Sequence, residues 1–244
     1  MPDVLTATLL GALAALPLLV GAWLALRAHP SARTVGRVAA FGAGALLSAV
    51  SFELVLDAVE VASTVELAAG LAVGAVAYYA GDRLLSRGRG TRGGEAQERA
   101  ARGRALMLGA TLDGVPESFI LGLSIVSGSG TSLAFLVAVL VSNLPEGMAS
   151  AAELGGEGGM PKQRILLMWV GVIGVAALAA AAGALVGEAS GHSGALAQAF
   201  AAGALLTMLT DDLVPEARED AGIGAGLLAV LGFAVAFALY QMGA

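Results

Sequence analysis

Eight long apolar stretches dominate this sequence and constrain its fold more than any other feature. They run over residues 4–26, 38–59, 65–84, 105–126, 132–154, 165–186, 196–214 and 223–242. A helix of about 20 apolar residues crosses the hydrocarbon core of a bilayer. Charged residues make up only 13% of the chain, against about 25% in soluble globular proteins. We therefore predict an all-α membrane protein with eight transmembrane helices in one domain, residues 1–244.

The 13 basic residues of the chain all lie on one side of the predicted membrane. They fall between spans one and two, three and four, five and six, and seven and eight, whereas the other connections carry none. Because Lys and Arg concentrate in cytoplasmic loops, this side is the cytoplasm and both termini lie outside. We expect a multi-pass protein of the cytoplasmic (plasma) membrane, surrounded by lipid and without a nucleic-acid partner. Four rings are expected at the inner membrane interface, where amphipathic aromatics concentrate: Trp23, Tyr78, Tyr79 and Trp169.

The connection at residues 86–104 is longer than the others and is rich in Gly and Arg. This composition is typical of flexible, solvated linkers. The sequence therefore predicts a flexible cytoplasmic loop between spans three and four.

Two internal repeats indicate an inverted architecture. Residues 44–58 recur 159 positions later as residues 203–217, with seven of fifteen positions identical. The acids align as well, Glu53 with Asp212 and Asp57 with Glu216. Span two runs outward and span seven inward, and inverted repeats of this kind place a transport site near the middle of the membrane. We expect spans 1–3 to correspond to spans 6–8, and span four to span five.

The second repeat carries the polar chemistry of the chain. Span four contains Asp-Gly-Val-Pro-Glu-Ser at residues 113–118, and span five contains Ser-Asn-Leu-Pro-Glu-Gly at residues 142–147. In each motif a polar residue and a glutamate stand at i and i+4, on one helix face. The intervening proline removes a backbone donor, which frees a carbonyl oxygen to line a cavity.

Three acids of these motifs, Asp113, Glu117 and Glu146, lie near the middle of their spans, where no Lys or Arg is available to pair with them. An ionised Asp at that depth costs about 2.5–3.5 kcal/mol. A bound cation relieves this cost, because it turns desolvated carboxylates into ligands. The chain has no cysteine and no histidine in these spans. An all-oxygen donor set suits hard cations such as Mn²⁺, and it holds Fe²⁺ or Zn²⁺ less selectively.

At these residues the sequence resembles the ZIP (Zrt/Irt-like protein) family of divalent metal transporters. That family has eight spans, both termini outside, and His-Asn-x-Pro-Glu-Gly motifs in spans four and five. Residues 142–147 keep all of that motif but the histidine, and residues 113–118 keep Pro and Glu. Residues 213–217 are similar to the family's Leu-x-Pro-Glu-Ala sequence. The resemblance is to a divergent member that lacks the motif histidines.

The resemblance implies a set of site residues. Asp113, Glu117, Ser142 and Glu146 would line the central metal site, and Asn143 would lie at a second, adjacent metal position. Gly114 replaces an asparagine ligand of the family. Whether the site binds one metal ion or two therefore remains open. The charge pattern adds further acids to the path: Glu53 and Asp57 as a possible entrance, and Asp212 and Glu216 as a possible exit.

The expected function is transport of a divalent metal, with no enzymatic activity and no resident cofactor. The resemblance implies a homodimer and alternating access of the elevator type, in which one bundle of helices slides against another. Manganese, iron and zinc remain open as the transported ion. One alternative is a ZIP-like protein that has lost transport and serves as a metal sensor or assembly partner.

Overall fold

The computed structural model describes residues 2–86, 95–126, 133–156, 159–190 and 194–243. Within these ranges the chain is helical and contains no strand, which confirms the all-α prediction. In chain order the elements are α1 (Pro2–Ala28), α2 (Ala32–Ala49), the π-helical segment π1 (Val50–Val55), α3 (Leu56–Val61), α4 (Thr64–Ser86), α5 (Glu95–Val126), α6 (Leu133–Leu154), α7 (Lys162–Ser190), α8 (Gly194–Met208), the π-helical segment π2 (Leu209–Leu213), α9 (Val214–Ala221), a 3₁₀ turn (Gly222–Gly224) and α10 (Ala225–Gly243).

Seven helical stretches in the described ranges are long and apolar enough to cross a membrane, judged by length and composition. Six are 21 to 29 residues long, but the last, Ala195–Met242, has 48 residues. One crossing needs about 20 residues. The last stretch is therefore far longer than a single crossing requires.

The chain reverses direction within this last stretch, at Gly222. Gly222 has φ 73°, a left-handed conformation that glycine adopts without strain. Just before it, α9 brings Asp220 against Gly36, near the start of α2. After it, α10 runs back along α2, so that the Tyr240 ring lies 5.7 Å from the Phe52 ring in π1. The segments before and after Gly222 are thus antiparallel to each other.

The predicted loop at residues 86–104 differs from the structure at its C-terminal end. Helix α5 begins at Glu95, so residues 95–104 are helical. Their sequence, Glu-Ala-Gln-Glu-Arg-Ala-Ala-Arg-Gly-Arg, consists mostly of residues with high helix propensity, which explains the difference. Residues 87–94 lie outside the described residues.

The helices can be divided into two groups, each joined by glycines in direct contact with a neighbouring backbone, and the groups pack against each other above all through α2 and α6, where Gly42 meets the backbone of Ser142. Group I comprises α1, α5, α6 and α7, and group II comprises α2, α4, α8, α9 and α10 with the two π-helical segments. In group I, a Cβ atom at Gly122 would overlap the carbonyl oxygen of Ala180. In group II, a Cβ atom at Gly44 would overlap the carbonyl oxygen of Ala229. Small residues allow this close approach of helices where lipid supplies no hydrophobic driving force.

Two π-helical segments interrupt group II at matching places. π1 begins at Val50 and π2 at Leu209, 159 positions apart, the same offset as the sequence repeat. π1 contains Glu53, and π2 contains Asp212. Single π-helical turns inside α-helices occur frequently at functional sites. Both expected ends of the cation path therefore carry an acid on an irregular helical turn.

Candidate metal site

Helix α5 supplies two acids from group I, Asp113 and Glu117. They stand one turn apart on one face of α5, with exposed fractions of 6% and 1%. Neither carboxylate oxygen of Glu117 has a hydrogen-bond partner among the described residues. Buried polar groups are almost always hydrogen-bonded, since leaving one unpaired costs about 1–3 kcal/mol. Glu117 therefore has two acceptor oxygens that suit a proton or a cation.

Helix α6 supplies the remaining residues predicted for the site. Ser142 is fully buried and its hydroxyl donates to the backbone carbonyl of Val139, over 3.1 Å. Asn143 donates from Nδ2 to the backbone carbonyl of Ala14, over 2.9 Å. This bond leaves Asn143 Oδ1 without a partner in the described ranges, and the same is true of Glu146 Oε2. α6 thus adds two buried oxygen acceptors to those of Glu117.

The acids of α5 and α6 lie close enough for their charges to interact. Glu117 interacts electrostatically with Asp113, and Glu146 interacts with both. Glu146 also interacts with the expected exit acids, Asp212 and Glu216. In this conformation, however, the described His, Asp and Glu side chains form no group of three that could hold a metal ion. The structure gathers these acids in one region without bringing three of them into coordinating contact.

Tyr78 of α4 joins this region, although the sequence placed it at the membrane interface. Its ring is only 4% exposed, and the single hydrogen of its hydroxyl is shared between Asp113 and, over 2.8 Å, Asp212. Trp169 is fully buried as well, so neither of these two rings lies on the outer surface of the described helices. Trp23 and Tyr79 are exposed, at 46% and 49%, and each has an Arg guanidinium over its ring. The depth of a residue in its span did not distinguish the buried rings from the exposed ones.

Asp82, one turn below Tyr78 on α4, is a second residue that sequence reasoning did not assign to the site. Its charge interacts with that of Asp113. An acid near the end of a predicted span is ordinarily interpreted as a solvated residue. Only the packing of α4 against α5 shows that Asp82 lies near residues 113–118. The acidic region therefore extends towards the C-terminal end of α4.

The expected entrance and exit acids lie in different surroundings. Glu53 is buried in π1, at 6% exposure, and Asp57 is half-buried one turn later in α3. Their charges interact with the Tyr240 hydroxyl, beside the Phe52 ring. On the other side, Asp212 and Glu216 both interact with Asp113. The structure thus connects the exit acids electrostatically with the central motif.

What the site can do chemically follows from its donors. It combines carboxylate and amide oxygens with a serine hydroxyl, which are the ligands of hard divalent cations. No protein-family model matches the chain, and no curated protein shows significant similarity to it. The buried oxygen atoms of α5 and α6 are therefore the features that indicate a function.

Proposed function

We propose that this protein is a ZIP-like transporter that moves a divalent metal cation across the cytoplasmic membrane. Asp113, Glu117, Ser142 and Glu146 form the mid-membrane site, with Asn143 beside it. The observation that carries the proposal is the set of buried oxygens without hydrogen-bond partners among the described residues, led by both carboxylate oxygens of Glu117. A cation satisfies such oxygens, and the sequence of spans four and five supplies no Lys or Arg at this depth to do so.

The proposal includes eight crossings, with both termini outside. The reversal at Gly222 supports it, because it divides Ala195–Met242 into two antiparallel segments that each suffice for one crossing. The cytoplasmic assignment of the basic connections follows from the positive-inside rule. Six stretches plus these two segments make eight.

The proposal also includes the inverted repeats. Pairs of packing contacts recur at repeat-related positions: Gly44 lies against Ala229, and Gly203 lies against Leu71. Residues 44 and 203 differ by the same 159 positions as the two π-helical segments. Corresponding contacts in two oppositely oriented arms are what a pseudo-twofold axis in the membrane plane produces.

Alternating access in this proposal is movement of group I against group II. Glycine–backbone contacts join the helices within each group, and the movement would take place mainly along the surface where α2 packs against α6, at Gly42 and Ser142. The cation enters past Glu53 and Asp57, is held by the central site, and leaves past Asp212 and Glu216. Because the central acids do not form a metal-binding group of three in this conformation, binding draws carboxylates together.

We also propose that the protein forms a homodimer, as the resemblance to the ZIP family implies. Much of α4 and α10 offers apolar surface to lipid or to a second copy, with Val65 at 78% exposure and Leu227 at 79%. No resident cofactor or enzymatic step is proposed.

The test is metal uptake into proteoliposomes, with Mn²⁺, Fe²⁺ and Zn²⁺ competing. Glu117→Gln and Glu146→Gln each keep the shape of the side chain and remove its charge. We expect each to lower uptake at least tenfold. Glu188→Gln, the same change at an exposed position on α7, serves as the matched control and should leave uptake unchanged. Undiminished uptake in both site variants would show that the site is misassigned.

A metal sensor or assembly partner without transport is the second candidate. The observation in its favour is that the sequence lacks both motif histidines of the family and has Gly114 in place of an asparagine ligand. Metal binding by the purified protein, together with no flux above that of empty liposomes, would select this candidate.

A further inference from the structure

We propose that Tyr78 is a latch between the two helix groups, holding group I against group II beside the metal site. This inference deepens the proposed function, since it identifies what restrains the movement that transport requires. It begins from a contact that neither the motifs nor the repeats anticipate: one tyrosine hydroxyl bonded to acids on two other helices.

The latch residues come from both groups. Tyr78 lies on α4 in group II, Asp113 lies on α5 in group I, and Asp212 lies on π2 in group II. The Tyr78–Asp113 hydrogen bond therefore crosses between the groups, whereas the Tyr78–Asp212 bond stays within group II. The two acids share the single hydrogen of this hydroxyl, so Asp113 lies against two parts of group II, α4 and π2.

Burial strengthens the Tyr78–Asp113 hydrogen bond. Tyr78 and Asp113 are 4% and 6% exposed, so water competes little for either group. Hydrogen bonds to a carboxylate are stronger than those between neutral groups, and a low-dielectric surrounding strengthens them further. Movement of α5 past α4 must break this bond before Asp113 can change its surroundings.

The position of the latch specifies what it controls. Asp113 is one turn from Glu117, and Asp212 belongs to the expected exit. A hydroxyl bonded to both lies between the central site and the exit. While the bond is intact, Asp113 is held towards Asp212 and Tyr78 closes the space between them. Release of Asp113 by Tyr78 is then linked to opening of the path on the exit side.

The experiment measures separation of the two groups directly and needs no metal. The chain contains no cysteine, so a single introduced thiol is a clean reporter. Ala138 of α6 is fully buried in a hydrophobic cluster that includes group II residues such as Leu46 and Leu205. In full-length Ala138→Cys protein in lipid nanodiscs, we expect Tyr78→Phe to raise the rate of thiol labelling by a small methanethiosulfonate about three- to tenfold.

Two controls separate a latch from general loosening. Tyr79→Phe removes the same hydroxyl from the neighbouring, exposed tyrosine and should leave the labelling rate of Ala138→Cys unchanged. Ala22→Cys, a fully buried reporter on α1 in the second hydrophobic cluster, should label equally slowly with and without Tyr78→Phe. Equal labelling of Ala138→Cys in the parent and Tyr78→Phe proteins would overturn the latch, as would equal acceleration at both reporters.

Asp113→Leu removes the same contact from the side of α5. This variant keeps the test decisive if the Tyr78→Phe protein misfolds. If the contact is the latch, Asp113→Leu also speeds labelling, and the double variant labels no faster than the faster single variant. Multiplied effects in the double variant would contradict the latch. If the labelling rates are as predicted but the protein moves no metal, the latch is supported and the proposed transport is refuted. Metal flux with unchanged labelling refutes the latch alone.

Discussion

The side-chain amide of Asn143 donates a hydrogen bond to the backbone carbonyl of Ala14, 2.9 Å away, and so ties α6 to α1 in the middle of group I. The two residues are 129 positions apart in the chain. This bond orients the asparagine, because its Nδ2 is committed to α1 and its Oδ1 is left for the site. Asn143 thereby connects the packing of group I with the arrangement of the candidate metal site.

Asn143→Asp should destabilise the protein by about 1–3 kcal/mol, because a carboxylate would replace the donor and face the carbonyl of Ala14. The measurement is loss of the folded monodisperse fraction on heating, followed by size-exclusion chromatography. Gln241→Glu makes the same amide-to-acid change at an exposed position on α10 and should shift stability by less than about 0.5 kcal/mol. Equal stability of the two variants would mean that the bond to Ala14 contributes nothing.

Gly44→Ala and Gly203→Ala should each destabilise group II by about 1–3 kcal/mol, because a Cβ atom at either position would overlap a backbone carbonyl oxygen. Gly171→Ala on α7 is the control, since nothing lies within 4 Å of its added Cβ. That change should stabilise the helix by about 0.5–1 kcal/mol. Thermal unfolding in one detergent compares the three. A tolerated alanine at Gly44 or Gly203 would contradict the close packing.

Sidedness of single cysteines should distinguish eight crossings from seven. With eight, Met242→Cys reacts with an impermeant maleimide from the same side as Ala62→Cys, while Ile223→Cys reacts from the opposite side. Ile223 and Met242 are 91% and 82% exposed, so both thiols are accessible. Reaction of Met242→Cys from the side opposite to Ala62→Cys would establish an odd number of crossings between residues 62 and 242, which contradicts the six that eight spans require.

Divalent metal should raise the thermal stability of the protein if it binds the folded site. A ligand at about 100 times its Kd stabilises by about 2.7 kcal/mol. We expect a rise in Tm with Mn²⁺ that a chelator reverses and that Glu117→Gln abolishes. Glu188→Gln should retain the rise. A shift of equal size in Glu117→Gln would place the bound metal elsewhere on the chain.

The helical class and the positions of the helices could be predicted from the sequence because both depend on local properties. A long apolar run must satisfy its backbone hydrogen bonds internally once it is in lipid, and a helix does so without help from other segments. Residues 113–118 and 142–147 stood out in the same way, since polar residues and prolines are rare inside apolar runs. The irregular helical turns could not be predicted, because the sequences of π1 and π2 are equally compatible with an ordinary α-helix.

The sequence by itself determined that this protein is built of apolar helices, and which acids interrupt the apolar runs. Only the tertiary structure decided which side chains meet. Tyr78 lies 35 positions from Asp113 and 134 from Asp212, and its contact with both depends on how α4, α5 and π2 are rotated against one another. Such rotation is set by packing of small residues between helices, a non-local property that depth and composition do not encode. For that reason a tyrosine expected at the membrane interface lies buried beside the site.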